Sequence, residues 1–157
     1  MMIKIKKVIP IFLIMILLNN CGYTPRYAVN KSLDFTINLT EISGDREFNN
    51  FLKSRITRYE NDKNINKKNY ELILKTQYRK NIKSKDAAGL AENYELIIIV
   101  DALVKSESIE TKKLVFEEKF SMKKFDDAFE EKNYEKTVKE NFSDIILERI
   151  IFYLFKL

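Results

Sequence analysis

Between Phe35 and Thr40 the chain alternates, with Phe35, Ile37 and Leu39 set against Thr36, Asn38 and Thr40. A period of two places one set on a single buried face, so this segment predicts a strand. Gly44-Asp45 ends the alternation. Phe48, Phe51, Leu52, Ile56 and Tyr59 then recur at three- and four-residue steps, which predicts an amphipathic helix to about Tyr59 with Asp45 as its N-cap. The polar run 61–69 reads as a turn. Period two returns with Tyr70, Leu72, Leu74, Thr76 and Tyr78, predicting a second strand from about Asn69 to Ile82. A third runs from Asn93 to about Ser106, with Tyr94, Leu96, Ile98, Val100, Ala102 and Val104 on one face. Its other face carries Ile97, Ile99 and Leu103, so this strand is expected to be central in the sheet or to meet a partner. Leu114, Phe116, Phe120 and Met122 predict a fourth strand.

A last helix is expected from near Asp127 to the C-terminus. Tyr134, Val138, Phe142, Ile145, Ile146, Arg149, Ile150 and Tyr153 trace its inner stripe. From Ile145 onward apolar residues surround most of the helix, and a helix apolar all round is buried or bound to something. Ile151, Phe152, Leu154 and Phe155 are therefore candidates to face a partner, the alternative being that they cap the core. The order strand, helix, three strands, helix predicts a two-layer α+β domain over residues 33–157, a mixed four-stranded sheet packed by two helices. Strands of about 13 residues at roughly 3.3 Å each reach some 43 Å. A first helix of about 15 residues at roughly 1.5 Å covers only some 22 Å, so one end of the hairpin formed by the second and third strands should project past the helices.

The front of the chain has a different pattern. Lys4, Lys6 and Lys7 precede an apolar stretch from Val8 to Leu18 broken only by Pro10, followed by Asn19, Asn20 and Cys21. Charged, then apolar, then a cleavage zone is the layout of a secretory signal, and the apolar stretch is shorter than the roughly 20 residues of a spanning helix. Residues 1–20 are read as a signal peptide and 21–32 as a tether. Cys21 is the one cysteine and the chain has no histidine. An internal disulfide, a zinc or iron site and a His-activated thiolate all need more than that. What remains is a point of lipid attachment at the cleavage zone, with an uncleaved inner-membrane anchor or a plain secreted protein as alternatives.

Charge changes meaning once the signal is set aside. Residues 1–20 carry three lysines and no acid, so without them 25 basic residues face 23 acidic ones, and the net charge is +2 rather than +5. A nucleic-acid partner, which calls for a clustered basic face, is not expected. Three glycines and two prolines leave no glycine-rich phosphate loop. The carboxylate pairs are Glu117-Glu118, which a strand directs to opposite faces, and Asp126-Asp127, which sits where a helix should be capped. No catalytic or metal site is expected, and no cofactor beyond a covalent lipid on Cys21.

Leu18, Asn19, Asn20 and Cys21 resemble the lipobox of bacterial lipoproteins at Leu18 and Cys21, with Asn20 standing where that pattern has a small residue. Gly22 rather than an acidic residue after the cysteine implies, by that resemblance, the outer membrane. The predicted order of elements, on a chain with "CGYTPRY" from Cys21, "FTINLT", the paired "YELILKTQY" and "NYELIIIVDALV", and a closing "NFSDIILERIIFYL", is similar to the lipopolysaccharide-assembly lipoprotein family, LptE. The resemblance implies a lipid-anchored plug in the lumen of the outer-membrane β-barrel that delivers lipopolysaccharide to the outer leaflet, on the periplasmic side and without covalent chemistry. Under that reading Arg79, Lys80, Lys83 and Lys85 are candidate contacts to lipid phosphates; cations on strand ends also serve simply to block edge pairing. A lipoprotein subunit of another envelope complex, for peptidoglycan synthesis or barrel assembly, is the alternative.

Overall fold

In a computed structural model the described residues are 34–60, 68–107 and 109–157. The expected signal segment, the tether and Cys21 lie outside them. The elements are β1 (Phe35–Ser43), α1 (Arg46–Ile56, closed by a 3-10 turn Thr57–Tyr59), β2 (Lys68–Lys85), β3 (Ala91–Ser106), β4 (Ile109–Lys123) and α2 (Ala128–Leu154). The four strands form one sheet in the order β1-β2-β3-β4, with β1 parallel to β2 and the other pairs antiparallel. This is the mixed sheet and the element order that the alternation predicts.

Side chains at even positions in β2 and β3 point to one face. Leu72, Leu74, Leu96, Ile98, Val100 and Val104 are fully buried there, facing each other in register as Leu72 opposite Val104 and Thr76 opposite Val100. From α1, Phe48, Leu52 and Ile56 close over them, and from α2, Val138, Phe142, Ile146 and Ile150 do the same. Each helix is started by an aspartate. Asp45 Oδ1 accepts from Phe48 N at 2.8 Å, and Asp127 Oδ1 accepts from Phe129 N and Glu130 N at 2.7 and 2.8 Å. Both satisfy amides that have no partner within the helix.

The turn between β1 and α1 is locked onto β2. Gly44 adopts φ +110°, a conformation that side chains with a Cβ rarely take. The buried Thr76 hydroxyl accepts from Asp45 N (3.0 Å) and lies 2.6 Å from Asn49 Oδ1 and 3.2 Å from Ser43 O. One threonine thus ties the strand, the turn and the first turn of the helix together.

The inner stripe of α2 is rotated from the one its apolar residues suggest. Tyr134 and Ile145 are exposed, whereas Leu147 and the polar Lys139 and Ser143 are buried. The reason is charge pairing between the helices. Lys139 Nζ lies 3.1 Å from Glu47 Oε2 and 3.4 Å from Asp45 Oδ2, and 4.0 Å from the centroid of the Tyr78 ring. Arg55 on α1 likewise pairs with Asp144 and Glu140 on α2. A lysine held between two carboxylates and an aromatic face can occupy an inward position that the apolar pattern reserves for hydrocarbon.

Candidate functional site

The long hairpin is the feature that stands apart from the two-layer body. Its strands run 18 and 16 residues, about 59 and 53 Å at roughly 3.3 Å per residue, against about 40 Å for the 27-residue α2. β4 stops at Lys123 opposite Asn93, and Lys124 N donates to Glu92 O. Past that point β2 and β3 continue alone to a turn at 86–90. Asp86 Oδ1 accepts from Ala88 N and Leu90 N, and Gly89 takes φ +80°. The tip leaves Ile82 and Leu90 exposed.

The four candidate cations do not gather at this turn. Lys80 points to the helix-covered face, 2.7 Å from Glu131 and 2.9 Å from Glu135 on α2, with its ammonium 4.4 Å from the centroid of the Tyr94 ring. It is engaged inside the domain rather than offered to a ligand. Arg79 lies on the opposite, helix-free face and donates to Gln77 Oε1 at 2.9 Å. Lys83, at a register shift in β2, donates to Ser121 Oγ across the sheet. Lys85 is exposed beside the turn. Arg79 and Lys83 therefore share a face, joined there by Lys119, which the sequence reading missed because β4 had no assigned register. Arg79, Ile97 and Lys119 stand in one cross-strand row.

That row bears on the state of Ile97, which is only 9% exposed on a face that, among the described residues, no helix covers. Arg79 and Lys119 flank it in register, where the aliphatic stems of long cationic side chains can shield an apolar neighbour. Ile99 sits between Gln77 and Glu117, and Leu103 between Ile73 and Lys113; both are half-buried. β3 thus carries an apolar spine down the open face, interrupted by Asp101 opposite Lys75 and Val115. At the far end of α2, Phe152 and Phe155 are 63% and 67% exposed and Ile151 is half-buried. Leu154 is 1% exposed and belongs to the core, because its turn of the helix faces the sheet; it is not available to a partner. The Phe155 ring instead meets Phe35 at 6.4 Å between centroids, beside the start of β1.

The charged cluster under α2 is electrostatically tuned. Burial opposes the charge on Lys80, but its hydrogen bonds with Glu131 and Glu135 outweigh that and raise its pKa. Burial also opposes ionisation of Glu131, yet the Lys80 ammonium and the Phe125 amide hold it below the ordinary carboxylate range. Burial, then the hydrogen bond to Glu135, pushes the Tyr78 hydroxyl up. A carboxylate with a depressed folded pKa contributes stability that is present above the unfolded value, about 4.3 for Glu, and is lost as pH falls through the folded value. Lys80→Met should therefore lower the melting temperature at neutral pH, and the gap from wild type should close as pH falls below about 4. Melting curves followed by circular dichroism across that range check it; a gap independent of pH would mean that the ammonium does not act through Glu131. The two remaining carboxylates of note sit on opposite faces, Glu117 paired with Lys119 and Glu118 with Arg149.

No family model matches the chain, and no curated protein matches its sequence. The fold is shared with solved structures. The rare lipoprotein B of Shewanella oneidensis superposes with a TM-score of 0.53 at 17% identity, covering 74% of this chain and 92% of that one. A candidate lipoprotein of Caulobacter crescentus gives 0.51 at 14% identity, covering 76% and 88%.

Proposed function

We propose that this chain is a lipoprotein anchored through Cys21 to the periplasmic side of the outer membrane, where it plugs the β-barrel that translocates lipopolysaccharide and assists lipopolysaccharide assembly. The observation that supports the reading is the hairpin tip: β2 and β3 run on past the end of β4 for about two residues each to a turn that exposes Lys85 and Leu90, on a body that shares its fold with solved bacterial lipoproteins. A lumen is narrow and long, and a sheet tip of this shape can enter it while the helices stay at its mouth. The open sheet face sets the half-buried Ile99 near Arg79 and Lys83, apolar contact and cations side by side, which suits an amphipathic phospholipid-like ligand such as lipid A.

Lys80 is paired with Glu131 and Glu135 on α2 while Arg79, Lys83 and Lys85 lie away from that helix, and this difference gives the test. Each charge-assisted hydrogen bond contributes about 1.5–3 kcal/mol, so losing even one weakens binding by about tenfold or more. The triple reversal Arg79→Glu, Lys83→Glu, Lys85→Glu should therefore reduce capture of lipopolysaccharide by the purified protein by at least about tenfold, measured well below the melting temperature of the variant so that the protein is folded. Wild-type capture by that variant would reject the open face and tip as the lipopolysaccharide contact. Lys80→Glu should behave in the opposite way, losing stability because it sets a third negative charge against Glu131 and Glu135.

A further inference from the structure

β4 is an outer strand of the sheet; it pairs with β3 on one side and, among the described residues, with nothing on the other. Long free edges invite pairing, and proteins usually blunt them with scattered lysines, a proline or a bulge. This edge is built differently. Its centre reads Lys112, Lys113, Leu114, Val115, Phe116, Glu117, Glu118, basic on one side of Val115 and acidic on the other. Val115 is 60% exposed at the midpoint, and Leu114 and Phe116 are half-buried beside it.

We propose that β4 pairs antiparallel with β4 of a second copy of this chain, about a two-fold axis through Val115. In an antiparallel pair, side chains directly opposite share a face. Centred on Val115, the pairing sets Leu114 opposite Phe116, Lys113 opposite Glu117 and Lys112 opposite Glu118, each occurring twice by symmetry. Four opposite-charge pairs then flank an apolar centre. A parallel pairing in register would stack lysine on lysine and glutamate on glutamate, so the sequence selects both the direction and the register. The β1 edge has no comparable pattern, with Thr36, Asn38, Thr40 and Glu41 exposed or half-exposed and a register shift between Leu39 and Glu41.

The same pairing brings a second cation to Glu118, whose Oε1 already lies 2.6 Å from the Arg149 guanidinium. Lys112 of the second copy falls on the strand position opposite Glu118 and on the same face, where its ammonium can donate. Arg149 touches one backbone group of this edge, Glu117 O, at 3.4 Å, a long contact that an arriving strand replaces with a ladder hydrogen bond. Because the new strand joins in the plane of the sheet, the hairpin tip and the open face carrying Arg79 and Ile97 stay uncovered, so the dimer does not depend on the barrel reading.

The test uses the full chain purified in detergent, with its mass measured by light scattering after size exclusion. Wild type is expected to show a dimer at high protein concentration. Lys113→Glu alone and Glu117→Lys alone each place like charges opposite one another and should weaken self-association by at least about tenfold. Mixing these two single variants restores every pair as an opposite one, and so does combining both changes in one chain; both should recover the dimer. In a Cys21→Ser background, Val115→Cys should give a covalent dimer on mild oxidation, since facing residues in an antiparallel pair have Cα atoms about 4.5–5.5 Å apart, within disulfide reach, whereas Thr36→Cys on the β1 edge should not. A monomer at all concentrations, or a dimer indifferent to the charge reversals, would overturn the proposal.

Discussion

Gly44→Ala destabilises the domain by at least about 3 kcal/mol, more than most single substitutions and a large part of the 5–15 kcal/mol that holds a typical domain together. Two effects add. The backbone at φ +110° lies outside the region that a residue with a Cβ adopts without strain, which alone costs about 1–3 kcal/mol. The added methyl would also fall 1.9 Å from Thr76 O and 2.7 Å from both Thr76 C and Thr76 Oγ1. That obstacle is backbone of β2, held in the middle of the sheet between β1 and β3, and it cannot rotate aside as a flexible side chain could. Relief requires the β1-to-α1 turn to lift away from β2, which breaks the hydrogen bond from Asp45 N to Thr76 and with it the start of α1. Gly89→Ala is the control. It too has positive φ, but nothing lies within 4 Å of its Cβ, so only the local backbone strain applies. Thermal unfolding of the two variants beside wild type separates them; equal melting temperatures for Gly44→Ala and wild type would mean that the turn does not press on Thr76.

If the chain is lipid-anchored as proposed, Cys21→Ser abolishes the anchor. Each buried methylene contributes about 0.8 kcal/mol, one acyl chain binds only marginally, and two or more chains hold a protein firmly. A cysteine carrying a diacylglycerol and an N-terminal acyl chain is on the firm side of that boundary, and a serine can carry none of them by the same route. The expected result is that wild type sediments with membranes and incorporates labelled palmitate, while Cys21→Ser carries no label. Unlabelled wild-type protein would show that the thiol is not acylated.

The element order was readable because its signals are local. Alternation marks β2 and β3, Asp45 and Asp127 mark the helix starts, and Gly44 marks the sharp turn, all without reference to the rest of the chain. Extents were less so: β2 and β3 run to Lys85 and from Ala91, farther toward the turn than the alternation of apolar residues reaches, because the last residues of the tip pair through their backbones while their side chains are polar. The inner stripe of α2 was misread at Tyr134, Ile145 and Leu147 because Lys139 holds an inward position through partners on other elements, which periodicity cannot show, and Ser143 is buried with its hydroxyl turned back onto Glu140 O of its own helix. The basic cluster failed for a related reason. Arg79 and Lys80 are neighbours in sequence and so face opposite sides of a strand, and only the position of α2 shows that the Lys80 side is the occupied one. The apolar second face of β3 was legible as Ile97, Ile99 and Leu103, but its uncovered state depends on where both helices go, which no single strand encodes.

Whether this domain works inside a companion barrel, as proposed, is tested most directly by capture of the tagged full-length chain from detergent-solubilised envelopes. The account predicts that an outer-membrane β-barrel of the lipopolysaccharide transport system stays bound through washing and is recovered in stoichiometric amount, and that deleting the hairpin tip 84–92 releases it. Recovery of the chain with no barrel, or with a peptidoglycan synthase in its place, would contradict the account.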